Sequence, residues 1–178
     1  MTTPSVPTPG MTTSSMSAPS HSCRVGIGYD THRLAEGRRL LLGGVEIPSP
    51  RGLLGHSDAD VLSHAVVDAL LGAAGLGDIG RFFPDTDPRW KNAASRIFLE
   101  TISNLLAERN LAVQNLDAVV VLDAPKLAPH LDTIKKSLAA ALGVAPDRVN
   151  IKAKTSEGAS PDFAAAHVVV LLAPAEPR

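Results

Sequence analysis

The chain has 178 residues, with 17 Lys and Arg against 18 Asp and Glu and a formal net charge of −1, a balance that offers no electrostatic footprint for a nucleic-acid partner. That length allows one domain with a real core, but aromatics are only 3% of a chain that is 44% hydrophobic, so the core is to be built from Ala, Val and Leu and is open to completion by oligomerisation. Cys23 is the single cysteine, which excludes an internal disulfide and fits a reducing, cytoplasmic setting, and no apolar run reaches membrane-spanning length.

Residues 1–22 are rich in Thr, Ser and Pro and carry no Asp, Glu, Lys or Arg. They predict a disordered, dispensable tail, leaving a single folded domain over 23–178. With no basic-plus-apolar leader and no arginine in this stretch, neither a signal peptide nor a transit peptide is expected.

The domain opens with Val25, Ile27 and Tyr29 alternating with Gly26, Gly28 and Asp30, which predicts a strand. Asp30 and His32 continue the alternation on one face. A carboxylate and an imidazole two apart suit a metal, though such a pair at a strand end also arises by chance. Residues 39–42 and 45–47 predict two more strands around Gly43-Gly44, and Pro48, Pro50 and Gly52 a loop leading to His56.

The stretch from Gly55 to Gly80 carries the densest signal. Leu62, Ala65, Val66, Ala69, Leu70 and Ala73 recur at helical spacing and make one apolar face. Ser57, with Asp60 three residues on, marks a helix start, and Gly75 and Gly77 the stop. The first turn is expected to leave backbone N–H groups free at the positive end of a helix dipole, an anion site. His56 precedes that turn and His64 lies two turns in. Capping alone is the plain alternative for Ser57, Asp58 and Asp60, and a partnered structural histidine the plain alternative for His64. Asp60 and Asp68 stand four residues either side of His64, and spacing does not choose which of them backs it.

RFFPDTDPRWKN, after Gly80, reads as a loop with an unusual share of aromatics: a flap over a ligand, or a packed surface loop. Residues 93–109 predict an amphipathic helix with Ile97, Thr101 and Leu105 on one side. Residues 116–122 predict a strand, Ala124-Pro125-Lys126 a turn, 129–142 a helix closed by Gly143, and 149–153 and 166–172 the last strands. This order suggests an α/β (α+β) sandwich, a mixed β-sheet with helices packed on one face.

Asp30, His32 and His64 supply one carboxylate and two imidazoles, and three protein ligands with an open fourth position is the pattern of catalytic zinc. Glu157, after a strand and Thr155-Ser156, offers a hard carboxylate for magnesium on a phosphate. With His56 and Ser57 at a helix start, the set describes phosphoryl chemistry.

GYDTHR, GLLGHSDADVLSHAVVDALLGAAGLGDIG, FFPDTDPRW, DAPKLAPH and VNIKAKTSE, in that order from Arg24 to Glu157, resemble the 2-C-methyl-D-erythritol 2,4-cyclodiphosphate synthases of the non-mevalonate isoprenoid pathway. The resemblance implies a homotrimer with active sites between subunits. It implies zinc on Asp30, His32 and His64, substrate contacts from Asp30, Thr31 and His32, and diphosphate contacts from His56 and Ser57. It places the erythritol end against Asp78, Ile79 and Gly80 and the run Phe83, Pro84, Asp85, Thr86 and Asp87. The cytidine pocket falls on Leu122, Asp123, Ala124, Pro125, Lys126, Leu127 and Ala128 together with Lys154, Thr155, Ser156 and Glu157. His56 and Thr155 match the positions that stabilise the transition state, and Glu157 the ligand of a second metal, magnesium or manganese. The implied partner is a small-molecule cytidine-diphosphate ester, which loses CMP as its 2-phosphate closes a ring on the β-phosphate. A catalytically silent trimeric homologue and another metal-dependent phosphohydrolase are the rival readings. One departure stands out: after Glu157 the family's glycine-rich run with Gly-Arg-Gly-Glu is replaced by the shorter GASPDFAAAHVVVLL, and Lys154 stands where the family often has a hydroxyl residue.

Overall fold

The computed structural model of the chain describes residues 23–175; the tail expected over 1–22 lies outside them. Strand β1 (Arg24–Glu36) is followed by β2 (Leu40–Leu42), β3 (Val45–Ile47) and β4 (Arg51–Leu53). Helix α1 (Val61–Ala74), the short α2 (Ile79–Phe82) and α3 (Ser95–Glu108) come next. The chain ends with β5 (Leu111–Val121), α4 (Leu131–Leu142), β6 (Val149–Lys154) and β7 (Phe163–Pro174). Five strands form a mixed sheet in the order β4-β1-β7-β5-β6, in which only the β5–β6 pair is parallel, and β2 and β3 form a separate hairpin. The α/β architecture with a mixed sheet is the one the element order predicts. β4 falls where a loop was expected, since its three residues borrow their register from Leu34, Ala35 and Glu36 of β1 and carry no alternation of their own.

The sheet buries one face. Ala164, Ala166, Val168, Val170 and Leu172 of β7 and Val113, Leu116, Ala118 and Val120 of β5 face the helices. On β1 the inward positions are Gly26 and Gly28, and the side chains of Val25, Ile27 and Tyr29 point the other way, 68%, 72% and 52% exposed. The two glycines let α1 lie directly on the strand. A Cβ on Gly26 would come 2.0 Å from the Ala69 carbonyl oxygen, and one on Gly28 1.9 Å from that of Ala65. Small residues on both sides, Ala65, Ala69 and Ala73 against two glycines, bring the backbones together.

Helix α1 departs from the expected single apolar stripe: apart from Asp68 and Gly72 every residue in it is buried. One side lies on β1 and β7, and α3 and β2 cover the rest. It also starts later than Ser57 suggests. Its N-cap is Asp60, wholly buried, whose Oδ1 accepts the Ser63 N–H at 3.0 Å and the Gly43 N–H at 2.9 Å, while Oδ2 takes the Gly44 N–H at 2.6 Å and the Ser63 hydroxyl at 2.9 Å. The expected anion site at this helix end is thus filled by the chain's own carboxylate, which already satisfies the dipole.

In α3 the buried stripe is Phe98, Leu99, Ile102 and Leu106, one residue round from the side expected, and Ile97 is 47% exposed. The stripe that wins is the one with more apolar area. Phe98 joins it by stacking on Phe83, ring centroids 4.3 Å apart.

Replacing Gly28 by Ala should force α1 off β1. Overpacking of this kind costs about 1–3 kcal/mol, and here the obstructing atom is backbone, so equilibrium denaturation should show a loss at or above that range. A variant as stable as the parent would contradict the close approach.

Candidate functional site

Where the glycines of β1 end, its inward positions become Asp30 and His32, both half-buried, and the first turn of α1 sets His64 against them. Asp30 Oδ2 is 2.9 Å from His32 Nε2 and 2.9 Å from His64 Nδ1, and the two ring nitrogens are 3.1 Å apart. A tetrahedral ion with bonds of about 2.0–2.1 Å holds its ligand atoms about 3.3 Å from one another. The three atoms therefore need to spread by only a few tenths of an ångström to hold a divalent metal, and they are two nitrogens and an oxygen, a donor set that suits one.

The cluster's electrostatics point the same way. Burial works to raise the Asp30 pKa, but hydrogen bonds to His32 and His64 and their charges outweigh it and hold the carboxyl well below its usual range. Burial likewise disfavours the charged His64 imidazole, yet the hydrogen bond to Asp30 and the carboxylates of Asp30, Asp60 and Asp58 leave its pKa raised. The pocket concentrates negative potential on a point that two imidazoles face, and any cation placed there is stabilised.

Behind His64, Nε2 lies 2.9 Å from Ser95 Oγ and 3.0 Å from Ser57 Oγ. Ser95 in turn gives its hydroxyl proton to Asp58 Oδ1 and its N–H to Asp58 Oδ2 at 2.8 Å. Neither Asp60 nor Asp68, the two carboxylates that spacing offered, backs this ring. Asp60 caps α1, and Asp68 Oδ1 accepts the Ile79 N–H at 2.7 Å. The carboxylate that connects to His64 is Asp58, through a serine 37 residues further along the chain.

The cluster opens into a cavity of about 420 Å³. Asp30, His32, His56, Ser57 and His64 line one side, and Ile79, Gly80, Phe83, Pro84 and Asp85 another. Asp68, Trp90 and Phe98 complete the wall; the sequence offered Asp68 only as a partner for His64 and Trp90 only within the loop read as a flap or a packed surface loop, and it gave no sign of Phe98. The Asp68 pKa is raised, first by burial and further by the Asp78 and Asp30 charges. The loop after Gly80 is a packed one at its base. Phe83 is 8% exposed and meets Trp90 edge-on at 5.1 Å, and Pro88–Trp90 forms a 3-10 turn. Of the expected residues around it, Asp78 caps α2, Asp87 pairs with Arg89 at 2.6 Å, and Thr86 does not line the cavity. Thr31 is exposed and donates to the Ala164 carbonyl at 3.1 Å.

The remaining expected residues are elsewhere in this chain. Asp30 is paired to Ala166, Ala166 to Val120 and Val120 to Ala153, so three strand spacings, about 14 Å, separate β1 from β6 in that row. Lys154 ends β6, next to the loop of Leu122, Asp123, Ala124, Pro125, Lys126, Leu127 and Ala128. Asp123 ties the two segments, accepting the Ser156 N–H at 2.5 Å and its hydroxyl at 2.8 Å, and these bonds lower its pKa. Thr155 donates to Glu157 Oε1 at 2.7 Å. Within one chain the half with the candidate metal cluster and this half do not meet.

The sequence model of the YgbB family matches residues 23–173. The chain is 58% identical over 153 residues to 2-C-methyl-D-erythritol 2,4-cyclodiphosphate synthase of Gloeobacter violaceus, covering 84% of this chain and 94% of the relative. It is 61% identical over 134 residues to the synthase of Dechloromonas aromatica, covering 75% and 84%. Among solved structures, a 2C-methyl-D-erythritol-2,4-cyclodiphosphate synthase in a CDP-bound form superposes with a TM-score of 0.80 at 48% identity, covering 84% of this chain and 99% of that one.

Replacing His64 by Ala should remove one of three donors from the cluster. Metal analysis after exhaustive dialysis should show about one divalent ion per parent chain and close to none in the variant. Equal metal content in both would refute the site.

Proposed function

The chain belongs to the YgbB family, and from that membership we propose that it cyclises 4-diphosphocytidyl-2-C-methyl-D-erythritol 2-phosphate to 2-C-methyl-D-erythritol 2,4-cyclodiphosphate and releases CMP, a phosphorus–oxygen lyase step of isoprenoid precursor biosynthesis. The observation that carries the reading is the sign of the cavity. Asp30, Asp68 and Asp85 make it a poor place for bare phosphates, and the Asp30–His32–His64 cluster is where a divalent cation reverses that sign.

An oxygen of the 2-phosphate forms a bond to the β-phosphorus, the bond from that phosphorus to the α–β bridging oxygen breaks, and CMP leaves with the electron pair. The nucleophile is already ionised, so no general base is required. The barrier is the repulsion between two anions and the entropy of aligning them. A divalent ion on Asp30 Oδ2, His32 Nε2 and His64 Nδ1, zinc by its donor set, supplies a Lewis acid to the phosphate oxygens when bound. His56, on the cavity wall, donates to the same oxygens. Ile79 and Gly80, held by Asp68, and Phe83 shape the erythritol end and exclude water.

The nucleotide half, with Thr155 and Glu157, comes from a neighbouring copy in a homotrimer. Two features support this. The halves are about 14 Å apart in one chain. The outward face of the sheet leaves Val25, Ile27 and Tyr29 exposed beside Val169, itself 45% exposed and paired to Ile27, an apolar strip of the kind an interface covers. A second divalent ion, magnesium or manganese, fits Glu157 together with the substrate phosphates. Lys154 supplies positive charge where the family's arginine is missing. A lysine is a point charge and does not reproduce a bidentate contact, so substrate binding is weakened by roughly ten- to hundredfold, the worth of one charge-assisted hydrogen bond. The folded unit is the single domain over 23–178, with 1–22 dispensable.

Purified protein with a divalent metal should release CMP from the authentic substrate; no release would refute the function. Ile27→Asp should convert a trimer to monomers by light scattering and abolish turnover while metal binding persists. A monomeric parent with full activity would refute the shared site. Lys154→Ala should raise KM with little change in kcat, and an unchanged KM would remove the compensating role.

A further inference from the structure

The two hydroxyls behind His64 are not equivalent, and their difference fixes a proton. Ser95 is wholly buried, Ser57 6% and His64 9% exposed, so solvent does not compete for these bonds. An ionised carboxylate only accepts, and Asp58 takes both the hydroxyl proton and the N–H of Ser95. With its one proton committed, Ser95 Oγ has only lone pairs to offer at 2.9 Å from His64 Nε2. A bond there therefore requires the proton on Nε2. The other ring nitrogen, Nδ1, faces Asp30 Oδ2 and His32 Nε2 and donates to the Asp30 carboxylate, so Nδ1 and not Nε2 is the nitrogen that gives up its proton to a metal.

Resting on the metal reading above, we propose that Asp58 and Ser95 are positioning residues that keep a proton on His64 Nε2, so that the ring meets a metal through Nδ1, and so set the metal affinity of the site. The pair is anchored independently of the metal: the Asp58 N–H donates to the Ala93 carbonyl at 3.1 Å, and Ser95 opens α3. The relay thus joins the start of α3 to the first turn of α1, and the ring cannot rotate without breaking it. Ser57 Oγ, at 3.0 Å, is the reserve acceptor for the same proton.

The arrangement makes an asymmetric prediction. In Asp58→Asn the carboxamide keeps an oxygen for the Ser95 N–H and turns its NH₂ toward Ser95 Oγ. The serine hydroxyl must then donate to Nε2, and the ring keeps its proton on Nδ1, the atom the metal needs. In Ser95→Ala the Nε2–H still finds Ser57 Oγ. Competition with a chromophoric chelator should show Asp58→Asn losing about 10–100-fold in zinc affinity, the usual effect of losing a ligand's outer partner. Ser95→Ala should lose less, and excess zinc should restore CMP release in both. A loss in Ser95→Ala equal to or greater than that in Asp58→Asn overturns the tautomer argument, as does an activity defect that saturating zinc leaves in place. One readout does not depend on any variant folding: histidine ¹⁵N shifts of the zinc-loaded parent should place the His64 proton on Nε2 and the metal on Nδ1, and the reverse assignment overturns the proposal. Zinc bound equally by parent and Asp58→Asn sinks this inference alone; no zinc bound by the parent sinks the metal assignment and this inference with it.

Discussion

The contact on which the site depends is that of α1 with β1, backbone against backbone. Gly26 and Gly28 admit the carbonyls of Ala69 and Ala65 to distances that no side chain would allow. The cluster of Asp30, His32 and His64 follows from that approach, because two candidate ligands stand on the strand and the third on the helix. If a methyl group on Gly28 held the helix off, the 2.9 Å separation of Asp30 Oδ2 from His64 Nδ1 would open with it. The close approach is maintained by burial. α1 is covered nearly all round, as a helix apolar on every side must be, and a core of small residues packed this densely gives it no room to shift.

Asp60 fixes the same helix along its axis. A wholly buried carboxylate is costly unless its lone pairs are filled, and here four donors fill them, from Gly43, Gly44, and the N–H and hydroxyl of Ser63. Gly43 and Gly44, at φ 59° and 76°, adopt the left-handed conformation that turns both N–H groups toward the same side chain. The β2–β3 turn is thereby tied to the start of α1. The Asp60 carbonyl also accepts the His64 N–H at 3.0 Å, so the residue that caps the helix also holds the backbone of a candidate metal ligand.

Much of this was legible in the sequence, and the failures share a cause. Asp30 and His32 were readable because strand alternation puts them on one face, and His64 because its helix is strongly periodic. The elements that alternation or periodicity marks came out within a few residues. What escaped is what depends on partners distant in the chain. β4 exists because β1 pairs with it. The buried side of α3 was decided by Phe83, which stacks on Phe98, and Trp90, which meets it edge-on. The partner of His64 was sought at helical spacing, Asp60 or Asp68, and came instead from Asp58 through Ser95. Ser57 looked like a cap because its type and position suit one, yet its hydroxyl turns inward to the ring.

Strand alternation also explains why one strand can serve both the proposed site and the proposed trimer. On β1, Gly26, Gly28, Asp30 and His32 face the helix, while Val25, Ile27 and Tyr29 face outward. The first set needs small residues and ligands, the second apolar area, and a period of two keeps them apart. Register is therefore under unusual constraint. A slip of one residue between β1 and β7 would drive Ile27 into the Ala65–Ala69 surface of α1 and carry Asp30 and His32 away from His64. The ten paired positions from Arg24–Leu172 to Arg33–Phe163 oppose such a slip. So does the outer strip, since only in the observed register does Ile27 lie beside Val169. The surface that would join copies of the chain and the surface that gathers the candidate metal ligands are the two sides of a single ladder, and a residue change that shifts one displaces the other.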